Sequence, residues 1–219
     1  MNKILKESFL WILVLLPLIY LAAVYAKLPD IVPTHFDFNG KPNDYSSKTT
    51  LIFIVAGMAL GNYLLMLVIP FLDPKNKLMQ MGIKYFNLRF ILQLFMALLG
   101  MFIIYISKEG SLKNPNMLFA LIGAIFAILG NYFQTVRPNY FIGIRTPWTL
   151  EGPETWKKTH RLGGRIWMVG GILIALLSFV ITNSSVFTII FFTLMGIMVL
   201  VPVVYSYFAF QEEKKNLNE

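Results

Sequence analysis

The chain has no cysteine. Disulfides, thiol nucleophiles and thiolate metal sites are thereby excluded. Charge is the next scarcity, since Asp, Glu, Lys and Arg make up 14% of the 219 residues while hydrophobic residues make up 57%. Histidine occurs twice, at His35 and His160. The scarcity of charge is also uneven: none falls within 8–26, 49–72, 90–107, 116–136 or 166–210. Each of the first four stretches is close to the roughly 20 residues needed to cross a hydrocarbon core about 30 Å thick. The fifth is long enough for two crossings, and its polar break at Thr182-Asn183-Ser184-Ser185 suits a hairpin.

This pattern predicts an all-α polytopic membrane protein with six transmembrane helices, over 8–26, 49–72, 88–107, 116–135, 165–182 and 186–210. The second span illustrates the margin. Between Leu51 and Leu72 there are 13 Leu, Ile, Phe or Val residues, summing to roughly −6 kcal/mol on an insertion scale. That outweighs one Asn and a terminal Pro.

No ionisable side chain is expected deep in any span. This removes the groups that proton relays and ion-coupled transporters use. The polar residues left, Asn62, Gln93, Asn131 and Gln134, are expected to form interhelical hydrogen bonds.

Lys and Arg placement predicts the orientation. Fourteen of the 19 lie in the N-terminus, the second connection, the fourth connection and the tail; five (Lys27, Lys41, Lys48, Lys108, Lys113) lie in the alternate set. The positive-inside rule then places both termini in the cytoplasm. The net charge of +8 is on this reading a topology signal, and the basic residues form no compact nucleic-acid module. The chain divides into 1–72, with an outer loop over 27–48, then 73–135, 136–210 and a cytoplasmic tail at 211–219.

Two connections carry more than topology. In the outer loop, Thr34-His35-Phe36-Asp37-Phe38 alternates as a strand would, and Asn39-Gly40 is a hairpin-turn dipeptide. One His and three scattered Asp residues form no metal-ligand spacing, so no metal and no cofactor is expected. Phe36, Phe38 and Tyr45 are loop aromatics of the kind enriched in binding patches. His35, Phe36, Asp37, Phe38, Asn39 and Tyr45 are therefore candidates for contacting an external peptide.

The inner connection, residues 137–164, reads RPNYFIGIRTPWTLEGPETWKKTHRLGG. Gly152-Pro153 predicts a helix start, with Trp156, His160, Gly163 and Trp167 on one face and Gly164, Gly171 and Ala175 on a neighbouring strip suited to close packing. Gly163-Gly164 leaves open a break there instead. Lipid anchoring explains the basic residues, but not Asn139, Gly143 or Thr146-Pro147. No carboxylate pair, nucleophile motif or metal constellation supports catalysis.

Residues 139–150 (NYFIGIRTPWTL) followed by 156–164 (WKKTHRLGG) resemble the signature of the SdpI family of bacterial membrane proteins. Residues 28–42 with Ser47-Lys48 resemble the short outer-loop module DUF1648 often found in it. The resemblance implies immunity to a secreted SdpC-like killing peptide at the bacterial plasma membrane. It also implies capture of an ArsR-type, SdpR-like transcriptional repressor at the inner face, with no direct nucleic-acid contact. The residues matching the signature and its surroundings are Asn139, Gly143, Arg145, Thr146, Pro147, Trp148, Trp156, His160, Arg161 and Gly164. On this reading the chain is not an enzyme; the competing readings are a small-solute or lipid permease and a membrane-bound lipid-modifying enzyme.

Overall fold

In a computed structural model, apolar sequence becomes helix almost wherever it runs long. The structure describes residues 3–37, 41–74, 76–111 and 116–218. In chain order the elements are α1 (Lys3–Val24), β1 (Ile31–Phe36), β2 (Pro42–Ser47), α2 (Lys48–Ala56) and α3 (Asn62–Leu72), the last two joined by one turn of π-helix at Gly57–Gly61. Then follow α4 (Lys77–Gln80), α5 (Ile83–Glu109), α6 (Met117–Phe133), α7 (Pro147–Glu151), α8 (Pro153–Val180) and α9 (Ser184–Asn218).

Five continuous helices, Ile4–Lys27, Lys48–Leu72, Ile83–Glu109, Pro153–Val180 and Ser184–Leu217, are long and apolar enough to cross a membrane. A shorter apolar helix, Met117–Phe133, accompanies them. These helices are apolar on their outward faces too: Phe53, Phe71, Val180, Ile189 and Leu200 are all more than 60% exposed. In water that arrangement would be an aggregation surface; in lipid it is the expected exterior. The chain is an all-α multi-pass membrane protein with one small hairpin.

The chain forms two units, 1–68 with 86–115 and 69–85 with 116–219. In the first, Leu10, Val14, Ala59 and Tyr63 form one apolar cluster. Leu21, Leu28, Leu51, Val55 and Ile104 form another, and Val32 of β1 joins it, fully buried. The hairpin is thus seated on the ends of α1, α2 and α5 by its own side chain.

Polar side chains join the same helices. Arg89 donates through both terminal nitrogens to Glu7, at 2.7 and 3.0 Å. Tyr63 donates to the same carboxylate at 3.1 Å. Deeper, Asn62 donates to Gln93 at 2.9 Å, and Gln93 donates to the Ala59 carbonyl at 3.1 Å, inside the π-turn. The Ala59 carbonyl also accepts from the Asn62 N–H, so the Gln93 amide is a second donor at a turn whose helical ladder is irregular. The ion pair lies where α1 and α5 extend past the charge-free stretches to include Glu7 and Arg89.

In the second unit α6 lies against α8 through glycine. A Cβ on Gly164 would stand 2.6 Å from the Gly130 carbonyl oxygen, and one on Gly123 would stand 2.6 Å from the Gly171 carbonyl oxygen. The two pairs recur at seven-residue intervals on both helices, so backbones touch along one seam. Here α8 is continuous through Gly163 and Gly164, because a break would separate those contacts. Across the 181–183 turn, α9 packs on α8 through Ile174, Phe187, Phe191 and Met198.

Candidate functional site

The 137–164 connector is folded by its own polar groups. Asn139 is 3% exposed. Its amide donates to the carbonyls of Arg137 and Ile142, while its oxygen accepts from the N–H groups of Phe141 and Ile142 at 2.8 and 2.7 Å. One side chain therefore ties a four-residue loop. Gly143 follows with φ of 109°, a backbone state that favours glycine, and a Cβ there would collide with His160 Nε2.

His160 is 1% exposed and stacked on Trp156, with ring centroids 4.0 Å apart and planes 18° from parallel. Its Nδ1–H donates to the Trp156 carbonyl at 2.9 Å, and its Nε2 accepts from the Ile144 N–H at 3.0 Å. Accepting a backbone N–H requires a neutral ring. The 153–165 part of α8 carries five charged residues; His160 lies in this polar end of the helix, ahead of the uncharged stretch that starts at Ile166. Burial lowers the His160 pKa to about 4. The imidazole is a clamp between α8 and the connector, with both nitrogens occupied.

Thr146 caps α7: its hydroxyl accepts from the Thr149 N–H at 3.2 Å, and the Thr149 hydroxyl accepts from the Thr146 N–H at 2.9 Å. Pro147 occupies the first helical position, where no N–H is needed. The Thr146 hydroxyl also lies 3.0 Å from the Ser206 hydroxyl, joining α7 to α9. Trp148 meets Tyr207 edge-on at 5.2 Å.

Glu213 of α9 caps α8. Its carboxylate accepts from the N–H groups of Glu154 and Thr155, the latter at 2.7 Å, and from the Thr155 hydroxyl at 2.6 Å. Lys158 pairs with Glu212 at 2.8 Å. Trp156 donates through Nε1 to the Val136 carbonyl at 2.9 Å, and Arg145 donates to the Tyr140 carbonyl.

The signature residues thus separate into two sets. Asn139, Thr146, Trp156, His160 and Gly164 are buried, and Gly143 is held under His160. Arg145, Pro147 and Arg161 are exposed, with Trp148 half-buried beside them and Tyr140 and Leu150 exposed nearby. The buried set shapes the connector; the exposed set is what another molecule can reach.

The hairpin is simpler. Ile31 pairs with Ser47, Val32 with Ser46 and Pro33 with Tyr45. His35 is exposed and hydrogen-bonds Asn43, Phe36 and Asp37 are half-buried, and Tyr45 is exposed. Asp37 accepts from the Lys41 N–H at 2.9 Å. Phe38 and Asn39 lie outside the described residues. Lys48 bonds Asp30 at 2.8 Å and holds its carboxyl below the usual range. Ser47 occupies the cap position of α2, but its hydroxyl meets the Thr50 hydroxyl at 3.4 Å and caps no backbone N–H. No group of three or more His, Cys, Asp or Glu side chains able to hold a metal occurs among the described residues.

Sequence reasoning did not single out Glu213, Ser206 or Thr149. The Thr-Pro-x-Thr order was a readable cap signal; the partners on α9, roughly 60 positions away, had no local one.

These arrangements coincide with regions recognised elsewhere. Residues 135–206 match the SdpI/YfhL protein family, and residues 12–60 match a domain of unknown function, DUF1648. The chain is 30% identical over 189 residues, covering 84% of its own length and 87% of the relative's, to a protein of Bacillus subtilis (strain 168). That relative is named Immunity protein SdpI. The chain belongs to the SdpI/YfhL family. No solved structure matches it.

Proposed function

We propose that this chain is a membrane immunity protein, protecting its cell from a secreted SdpC-like killing peptide. The supporting observation is the similarity to Immunity protein SdpI over 84% of the chain, together with family matches over 12–60 and 135–206, which contain the hairpin and the connector. The six-span topology belongs to the proposal, with α6 as the fourth crossing. At 17 residues that helix rises about 26 Å, and the uncharged flank to Val136 supplies the rest. Both termini and the connector then face the cytoplasm, in keeping with the distribution of Lys and Arg.

On this topology the hairpin is the surface a peptide meets first. Its exposed Ile31, His35 and Tyr45 are the contact residues proposed from the described part. The connector offers Arg145, Trp148 and Arg161 to an ArsR-type repressor inside, Arg and Trp being frequent interface anchors. Binding outside would alter capture inside only if both partners bias one pair of states. No enzymatic step and no cofactor is invoked.

Two experiments test this reading. Deleting the gene should sensitise cells to the cognate peptide, and unchanged killing curves would refute immunity. Arg145→Ala and Trp148→Ala should abolish membrane recruitment of the repressor while the protein still inserts; normal co-localisation in both would refute the inner contact.

A further inference from the structure

Between α1 and α5 lies a groove of about 410 Å³, lined by Phe9, Phe86, Asn87, Phe90 and Ile91. Phe86 with Phe90, and Asn87 with Ile91, are each one helical turn apart on α5, so the groove runs along that helix. Its length over 86–91 is about 7.5 Å. Four of the five lining residues are apolar, yet one end is charged: the Lys6 ammonium stands over the Phe86 ring, 5.4 Å from its centroid. The nearest carboxylate in sequence, Glu7, is already engaged by both terminal nitrogens of Arg89 and by Tyr63. Among the described residues Lys6 has no ion-pair partner. No described carboxylate therefore balances its charge where a greasy slot opens onto the exterior of membrane helices.

We propose that this groove binds one acyl chain of an anionic phospholipid, with Lys6 meeting the phosphate and Asn87 the glycerol region. Position, shape and charge agree. Glu7 and Arg89 are the last charges before the uncharged stretches of α1 and α5 begin, and the groove starts within one turn of them. That is the depth at which a lipid's charged head gives way to its chains. A zwitterionic lipid would fill the slot equally but would bring a cation of its own to Lys6. One basic residue near an anionic headgroup is worth about 1 kcal/mol, which corresponds to roughly fivefold selectivity.

The test uses the full chain in detergent, offered equal amounts of phosphatidylglycerol and phosphatidylcholine with matching acyl chains, and read by native mass spectrometry. The expected result is about fivefold greater retention of phosphatidylglycerol, falling to parity in Lys6→Gln. Ile91→Trp, which fills the slot, should lower retention of both lipids. Thermal melting in the same detergent checks that each variant is folded; Lys6→Met and Phe90→Trp replace any that is not. Equal retention by the native protein, a preference unchanged without Lys6, or retention unchanged with the slot filled would each overturn the proposal.

Discussion

The tetrapeptide Leu-Gly-Asn-Tyr occurs twice, at 60–63 and 129–132, and the two copies hold their helices by opposite means. In the first, Gly61 is open, with nothing within 4 Å of an added Cβ, while Asn62 and Tyr63 reach other helices through Gln93 and Glu7. In the second, Asn131 is exposed, while Gly130 carries the contact: a Cβ there would lie 2.7 Å from the Gly164 carbonyl oxygen. At the first copy polar side chains join the helices; at the second it is the absence of a side chain. Both are solutions to the same difficulty, since apolar surface gives little drive for helices to associate in lipid. Polar glue tolerates spacing; glycine contact forbids any.

The largest effect should therefore come from crowding the glycine seam. Gly164→Leu is expected to cost more than about 3 kcal/mol, because the obstruction is backbone and cannot turn aside. Gly61→Leu should stay within about 0.5 kcal/mol, as an outward substitution. Reversible unfolding in mixed micelles compares the two, and equal losses would erase the distinction.

The polar unit is probed at Arg89. Arg89→Ala leaves Glu7 with the Tyr63 hydroxyl but without its cation, and should cost about 2–3 kcal/mol, below the usual 3–5 for a fully buried pair because Glu7 keeps some access to water. Glu7→Gln combined with Arg89→Met should restore part of that loss. If the double variant is as unstable as the sum of the single ones, the ion pair does not join the helices.

The His160 clamp adds a pH dependence in the second unit. With a folded pKa of about 4 against 6.5, folded His160 stays neutral while the unfolded chain takes up a proton. Stability should be level above pH 6.5 and fall as pH drops toward 4, by up to about 3 kcal/mol. His160→Gln should flatten that portion of the profile; an unchanged slope would mean that another group is responsible. Among the side-chain deletions the smallest loss is expected from Asn62→Leu, about 0.6 kcal/mol, as for other interhelical hydrogen bonds in membranes.

These contrasts also show how far the chain could be read in advance. Long uncharged runs located the helices, and a strip of small residues announced close packing of α8, because both depend on local composition. The start of α8 at Pro153 and the turn at 181–183 had local signals too. The helix ends were less legible. Glu7 and Arg89 looked like flanking topology charges, and only folding shows them meeting across 82 positions. In the connector the signature was visible as a pattern, yet not its division. Nothing in the order Asn-Tyr-Phe-Ile-Gly-Ile-Arg says that Asn139 turns inward to bond its own backbone while Arg145 stays outside. That division depends on His160, sixteen positions from the Ile144 N–H it accepts.

The functional account stands or falls on which side of the membrane each polar surface occupies. A chain with no native cysteine allows this to be measured directly, by placing Tyr45→Cys and Leu150→Cys singly and treating intact cells with a membrane-impermeant maleimide. The account predicts labelling at position 45 in intact cells, and at position 150 only after permeabilisation. Labelling of both positions in intact cells would contradict it.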